Sequence, residues 1–389
     1  MTKNISVAII EPVGGHGGMD YYDFGLCAGL LAAQCGVSLY SCDETSPPAI
    51  PNLRFYAVYK RIYGKANRWI RALRFIRGSV AAISRAVLQG DQICHLHLFH
   101  GEAQELILVF LAKLSGRKVI ITVHDVESFS PVAISRTMIN RIYGLADALI
   151  VHNKVSEEEL TNKLGNAPVK INIIPHGNYL DTDHRLADPQ DARRKLDIGE
   201  TRRVILFFGQ IKDVKGLDIL IEAMPIVVNA IPEVTLLIAG RPWKKDFASY
   251  DALIDKLGIR DRCVLHLRYI GNDEIALFFA AADVVVLPYR RIYQSGVILM
   301  AMSYGRAVVV SDLPGMTETV SDGATGYVFR QGSKDALAEQ LIRVLKDDEG
   351  RMQVAERAME HMRVNYDWMV IGNKTANVYR NVLGMSSGE

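Results

Sequence analysis

Cysteine is scarce in this 389-residue chain, and none of it is paired by spacing. The five residues Cys27, Cys35, Cys42, Cys94 and Cys263 are odd in number and form no Cys-x-x-Cys. That argues against a disulfide or zinc framework and for a reducing, cytoplasmic setting. Long apolar runs are also missing, and none reaches the ~18 residues of a membrane span. The start, MTKNISVAII, passes straight into a strand-like run without the charged start, apolar stretch and cleavage site of a secretory signal. An excess of one charge sign is nearly absent: the formal net charge is +2, so the total names no class of partner. No Gly-Lys-Ser/Thr follows the early glycines, and the third glycine position of the dinucleotide fingerprint holds Asp20. A P-loop enzyme and an NAD enzyme are both disfavoured.

What is present is alternation. Apolar runs at 6–10, 37–41, 93–98, 118–124, 148–152 and 171–175 are separated by helix-length segments. A second series follows at 204–209, 234–240, 263–267, 283–288, 307–311 and 326–329. Continuous Val/Ile/Leu runs spaced this way predict buried parallel strands in βα units. The polar, acid-rich stretch between the two series reads as a linker over 181–202, so the chain is expected to be α/β with two Rossmann-like halves.

The first strand runs into Gly14-Gly15-His-Gly17-Gly18, four glycines in five positions, followed by a helix expected over 23–33. Ligands of open α/β sheets lie beyond the carboxyl ends of strands, where bare backbone and a helix N-terminus can meet negative charge. In the second half, the run 204–209 leads into Gly209-Gln210-Ile-Lys212-Asp-Val-Lys215-Gly216 and a helix expected over 216–233. Two lysines at a strand's carboxyl end are placed to neutralise a diphosphate.

Further along come Ala239-Gly240, Leu287-Pro288, Ala301-Met302-Ser-Tyr-Gly305 and Gly315-x-x-Glu318-x-Val320-x-Asp322-Gly323-x-x-Gly326. In this order and spacing the chain resembles the GT-B glycosyltransferases of the large retaining family 4. Thr122-Val-His124-Asp125 and Ile174-Pro-His176-Gly177 in the first half are similar to that family as well. The chain departs from the pattern in three places. Gln210 stands where an arginine is usual, and Ile292 and Met300 stand where two glutamates are usual.

The resemblance implies a GT-B fold, two Rossmann-like domains facing a cleft. It implies an acceptor-binding domain over 1–180, a nucleotide-sugar domain over 203–365, and a closing helix over 366–389 that bears Trp368 and returns to the first domain. It implies a hexosyltransferase using a UDP- or GDP-type sugar donor, with retention and without a cofactor or metal. His124 and Lys215 are the expected catalytic residues, with Asp125 orienting the His124 ring. Gly15, Gly17, Gly18, Asp125, Gln210, Lys212, Gly240, Ser295, Gly296, Val297 and Glu318 are the expected binding residues, Glu318 at the opening of a helix. A binding protein without transfer activity and a sugar-nucleotide epimerase of the same architecture are the alternatives. His95, His97 and His100 alternate along or just beyond one strand and read as structural, without metal spacing.

Residues 53–90 carry Arg54, Lys60, Arg61, Lys65, Arg68, Arg71, Arg74, Arg77 and Arg85, and no acid. Trp69, Ile70, Leu73, Ile76 and Val80 fall on a different face from Arg68, Arg71 and Arg74. A basic amphipathic helix with aromatic flanks points to an anionic membrane surface, here the inner face of the plasma membrane. No nucleic-acid module accompanies the patch. The expected acceptor is therefore a polyprenyl-diphosphate-linked sugar or a glycolipid.

Overall fold

All twelve apolar runs are strands of two parallel sheets, ten of them largely buried and the two edge strands of the runs 171–175 and 263–267 half-buried. The structure is a computed structural model. It describes the chain except residues 1–4, 17, 100–102, 125, 127–135, 166–167, 181–187, 201, 244–245, 293 and 386–389. The chain divides into two compact units, Met1–Gly177 with Tyr366–Glu389, and Asn178–Asn365.

The first unit holds β1 (Ser6–Ile10), α1 (Asp20–Ala32), β2 (Gly36–Cys42), β3 (Arg54–Tyr59), α2 (Arg68–Leu88), β4 (Ile93–Leu98) and α3 (Ala103–Leu114). It continues with β5 (Lys118–Val123), α4 (Arg136–Gly144), β6 (Ala148–Val151), α5 (Lys154–Leu164) and β7 (Lys170–Ile173). Its strands pair in parallel in the order β3-β2-β1-β4-β5-β6-β7. Strand β3, R-F-Y-A-V-Y, was not expected: its half-buried edge position and basic flank hide it inside the charged stretch 53–90. That stretch is thus a strand followed by a helix.

The second unit holds α6 (Pro189–Lys195), β8 (Arg203–Phe208), α7 (Leu217–Ala230), β9 (Val234–Ala239), α8 (Ala248–Lys256), β10 (Cys263–His266) and α9 (Asn272–Ala281). Then come β11 (Val284–Leu287), α10 (Gly296–Ser303), β12 (Ala307–Ser311), α11 (Pro314–Thr317), β13 (Tyr327–Phe329), α12 (Lys334–Lys346) and α13 (Asp348–Asn365). The parallel order is β10-β9-β8-β11-β12-β13. The expected linker 181–202 needs correction, because its part from Asp188 onward is structured in this unit. Asp188 caps α6 by accepting from Gln190 N and Asp191 N at 2.9 and 3.1 Å. Arg193 then ties the helix down, through Ala281 O at 3.1 Å and Asp283 at 2.9 Å. Acids that read as linker polarity are a helix cap and ion-pair partners.

α14 (Trp368–Val382) belongs to the first unit and packs on α1. The contact needs missing side chains. A Cβ on Gly29 would strike the Trp368 carbonyl and Gly372, and one on Gly25 or Gly177 would strike the Trp368 ring. The indole is only 3% exposed and meets Tyr22 edge-on at 5.4 Å.

Each sheet reverses its winding once, between β1 and β4 in the first unit and between β8 and β11 in the second. The loops leaving these four strands are where a doubly wound sheet opens a crevice at its carboxyl edge.

Candidate active site

In the second unit, β8 ends at Gly209, whose backbone lies against the neighbouring strand: Gly209 N donates to Ala239 O at 2.9 Å. Gly240 passes so close that a Cβ there would overlap the Gly209 carbonyl, so this position must be bare. The loop then makes a 3-10 turn over Asp213–Lys215 and closes at Gly216 with φ +64°, a conformation that favours glycine. Arg290 fastens this loop to the end of β11. Its guanidinium grips Asp218 at 2.7 and 2.6 Å and donates to Asp213 O at 3.0 Å, and its N–H donates to Val214 O at 2.8 Å. That pairing holds the Asp218 carboxyl below its usual range against the opposing effect of burial.

This bracing converges three expected residues. The Lys215 Nζ lies 3.2 Å, and a Val297 methyl 3.4 Å, from where a Cβ of Gly209 would stand. Gly296 and Val297 begin α10, and Ser295 before them is buried with no side-chain cap on the helix. Uncapped first-turn N–H groups, a lysine ammonium and a bare glycine edge form an anion-binding arrangement. Lys215 also sits 5.3 Å from the Tyr289 ring centre. Gln210 is half-buried beside Gly209. Lys212 takes a different direction, its Nζ 4.9 Å over the Trp243 ring. Glu318 does not open a helix: it is the exposed residue closing α11, because the Pro314 start places the helix one turn earlier than expected.

In the first unit, strands β4, β5, β6 and β7 each deliver histidine to the carboxyl edge. His97 lies near the end of β4, and His124, His152 and His176 follow the other three. They surround Tyr22, which meets His97, His124, His152 and His176 edge-on at 5.3, 5.0, 5.6 and 4.9 Å, and His95 joins them against His97 at 5.0 Å. Burial keeps these rings neutral: it pushes His97 and His152 down to about 4 and His176 to about 3, and holds His95 and His124 well below the ordinary value. Two buried carboxyls, Glu11 and Asp23, accompany them, and burial raises both well above their usual range. Asp23 lies 3.2 Å from His97 Nδ1. Glu11 accepts from Val13 N at 2.7 Å and from Gly14 N, which fixes the start of the glycine loop.

Packing by itself accounts for two bare positions of this loop. A Cβ on Gly14 would strike the Thr45 and Ser41 hydroxyls, and one on Gly15 would lie 2.5 Å from Glu44 O. These two glycines are required by the turn after β2, whereas Gly18 has open space and φ +71°. Gly17 and Asp125 lie outside the described residues, as does His100. Among the described residues, His124 Nδ1 lies 3.2 Å from His152 Nε2. His95 is structural, bonded to Tyr379 and Thr122 at 2.7 Å each. The histidine cluster was missed as a unit, although its signal was in the sequence, since the runs 118–124 and 148–152 end in histidine and His97 and His176 lie within one residue of the ends of two others. Among the described residues no three His, Cys, Asp or Glu side chains are placed to hold a metal ion. The Asp-x-Asp spacing at Asp181 and Asp183 lies outside the described residues.

Two parallel-sheet Rossmann-like units, each with a single winding reversal, are the architecture of a GT-B protein. The comparisons agree, and they place the chain among the GT-B glycosyltransferases of family 4. The family model described as glycosyltransferase family 4 matches residues 16–181, and that of glycosyl transferases group 1 matches 188–361. An uncharacterized glycosyltransferase of Methanocaldococcus jannaschii is 29% identical over 242 residues, 61% of this chain and 60% of its own length. The chain thus spans less than two thirds of that relative. A phosphatidyl-myo-inositol mannosyltransferase of Mycolicibacterium smegmatis is 26% identical over 326 residues, 82% of this chain and 78% of its own length. The structure of Anabaena HepE in complex with UDP aligns with a TM-score of 0.75 at 18% identity, over 97% of this chain and all of that one, a likeness of fold.

Proposed function

We propose that the chain transfers a sugar from a nucleoside-diphosphate sugar, with retention at the anomeric carbon and without a metal, to a lipid-linked acceptor. The convergence of Lys215, the Gly209 edge and the first amides of α10 carries this reading. Departure of a nucleoside diphosphate builds negative charge on its phosphates, and fixed donors aimed at them stabilise that charge. The UDP bound by HepE supports a UDP-type donor here.

For the acceptor, the support is the surface of α2 and α3. Helix α2 buries Gly78, Ser79, Ala82, Ile83 and Ala86, and leaves Trp69, Leu73 and Val80 on an outward stripe 69%, 69% and 46% exposed. On α3, which packs on α2, Phe110 and Leu114 are 52% and 67% exposed. Beside α2, a groove of about 770 Å³ is lined by Lys60, Arg61, Arg74, Arg77 and Arg85 against the single acid Asp43. Exposed aromatic and aliphatic side chains with a basic flank fit an anionic membrane surface, each well-placed base adding about 1 kcal/mol. Among the described residues no helix is long and apolar enough to cross a membrane, so this would be peripheral contact at the inner face. The lipid in the name of the M. smegmatis relative supports the same class of acceptor.

The test is a thermal-shift panel of UDP-, GDP- and ADP-sugars on the purified chain, followed by donor hydrolysis with and without EDTA. Stabilisation by one nucleotide family and EDTA-insensitive release of its diphosphate are expected. Absence of any shift at millimolar ligand would sink the donor reading. Ile292 and Met300, in place of the usual glutamates, favour a second reading, donor binding without transfer. A shift without any turnover would select it, and an isomerised donor would select an epimerase.

A further inference from the structure

The second unit holds a cavity at the amino edge of its sheet, away from the lysine–glycine loop. Its volume is about 680 Å³, a size that takes a small metabolite. Asp283 and Arg306 line it from just before β11 and β12, Arg193 from α6 and Arg351 from α13. The carboxyl edge, with Gly209 and Lys215, lies a strand length away, roughly 15–20 Å.

Charge in this cavity is unbalanced. The Asp283 carboxylate accepts from Arg193 at 2.9 Å and from Val204 N at 2.7 Å, and lies 3.6 Å from Arg351. Arg351 also pairs with Asp348 at 2.6 Å, and Asp348 in turn holds Arg203 at 2.7 Å. The guanidiniums of Arg193, Arg203, Arg306 and Arg351 thus stand against the carboxylates of Asp283 and Asp348, an excess of two positive charges. The other acids of the lining, Asp188, Glu200 and Glu356, are exposed, where water and salt screen them. Arg306 is the member without a counterpart. Among the described residues its side chain makes no hydrogen bond or ion pair, and its Nε is buried. Burial lowers its pKa, against the pull of Asp283 and with the push of Arg193 and Arg351, yet a guanidinium keeps its proton. A charge held in such a place without a partner is costly, so it calls for an anion.

We infer that this cavity is a second anion site, taking the phosphoryl group of a small phosphorylated metabolite on the Arg306 guanidinium. A phosphomonoester carries a charge of about −1.5 to −2 at neutral pH, which offsets the excess, and its oxygens fit the planar fork of arginine. Met352 and Met359 of α13 supply an apolar wall for the carbon skeleton that bears the phosphate. The site is separate from the donor loop and does not rest on the transferase reading.

The test is calorimetric titration of the full chain with inorganic phosphate, glycerol 3-phosphate and glycerol, without turnover. Lys215→Ala is the background, which weakens anion binding at the donor loop. Saturable binding of both phosphates and none of glycerol is expected, glycerol 3-phosphate binding tighter. Equal affinities would assign free phosphate as the occupant of the same phosphoryl site. Adding Arg306→Gln should weaken binding about 10- to 150-fold, the effect of losing charge-assisted hydrogen bonds. Arg306→Lys keeps the charge without the fork and should fall between. Because Arg306 has no partner to lose, Arg306→Gln should melt no lower than its parent in phosphate-free buffer. Absence of saturable phosphate binding, an affinity that Arg306→Gln leaves unchanged, or a clear fall in its melting temperature would overturn the inference.

Discussion

The two units meet their expected chemistry with opposite materials. The second gathers a lysine ammonium, backbone N–H groups and bare glycine at the end of β8, an arrangement that attracts charge. The first gathers neutral imidazoles, a tyrosine ring and carboxyls whose ionisation burial opposes, an arrangement that disfavours charge. Both sit at the carboxyl edge of sheets wound in the same order. The same strand order therefore places both, and the groups gathered at the strand ends decide whether charge is attracted or disfavoured.

The comparison can be broken most sharply at Trp368. Its indole joins α14 to α1, so Trp368→Ala should cost the first unit about 3–5 kcal/mol. Calorimetry should show that unit's transition lowered and the second unit's unchanged, and a common downward shift would contradict the separate assignment. Lys215→Ala should lower turnover about 10²- to 10³-fold with little change in melting, because a half-buried side chain aimed at developing charge contributes to the reaction more than to folding. Steady-state kinetics and a thermal scan check it.

Acid should separate the units next. Unfolded histidines take up protons as pH falls below about 6.5, whereas folded His97 and His152 refuse them until about 4 and His176 until about 3. The unfolded state then binds more protons, so the stability held above pH 6.5 is lost progressively as pH falls toward 4. Glu11 and Asp23 have raised values and act in the opposite sense, eroding stability as pH rises above the ordinary carboxylate range. Because the buried histidines are the larger group, the first unit's melting temperature should fall from pH 6.5 to 4. The second unit's should hold, since its described histidines, His266 and His361, are only half-buried. Equal acid sensitivity of two transitions would refute this. The smallest effect is expected at Arg290→Ala, an exposed ion pair worth about 1 kcal/mol or less to stability. Its consequence should instead be a weaker affinity for nucleoside diphosphate, measured by calorimetric titration, because the 213–218 loop loses its brace.

Much of this was legible in order along the chain. Continuous apolar runs mark parallel strands, so twelve of the thirteen described strands could be read directly, half-buried β7 and β10 among them, whereas β3 escaped because its apolar residues are embedded in a basic, aromatic stretch. Gly209, Lys215 and Gly240 were legible because a strand end, a turn and a close backbone approach each leave a local mark. The linker misreading and Glu318 show the limit: whether Asp188 is loop polarity or a cap, and whether Glu318 opens or closes a helix, depends on one turn of register.

Local periodicity and spacing were enough for the two sheets and the lysine–glycine loop, and the motifs carried the resemblance to the family. Only the tertiary structure decided that Gly14 and Gly15 answer to the turn after β2, that Trp368 fills the gap left by glycines on α1, and that histidines from four strands share one buried cluster. Those contacts join residues far apart in the chain, such as His95 and Tyr379, and no local pattern records which distant side chain will fill a given space.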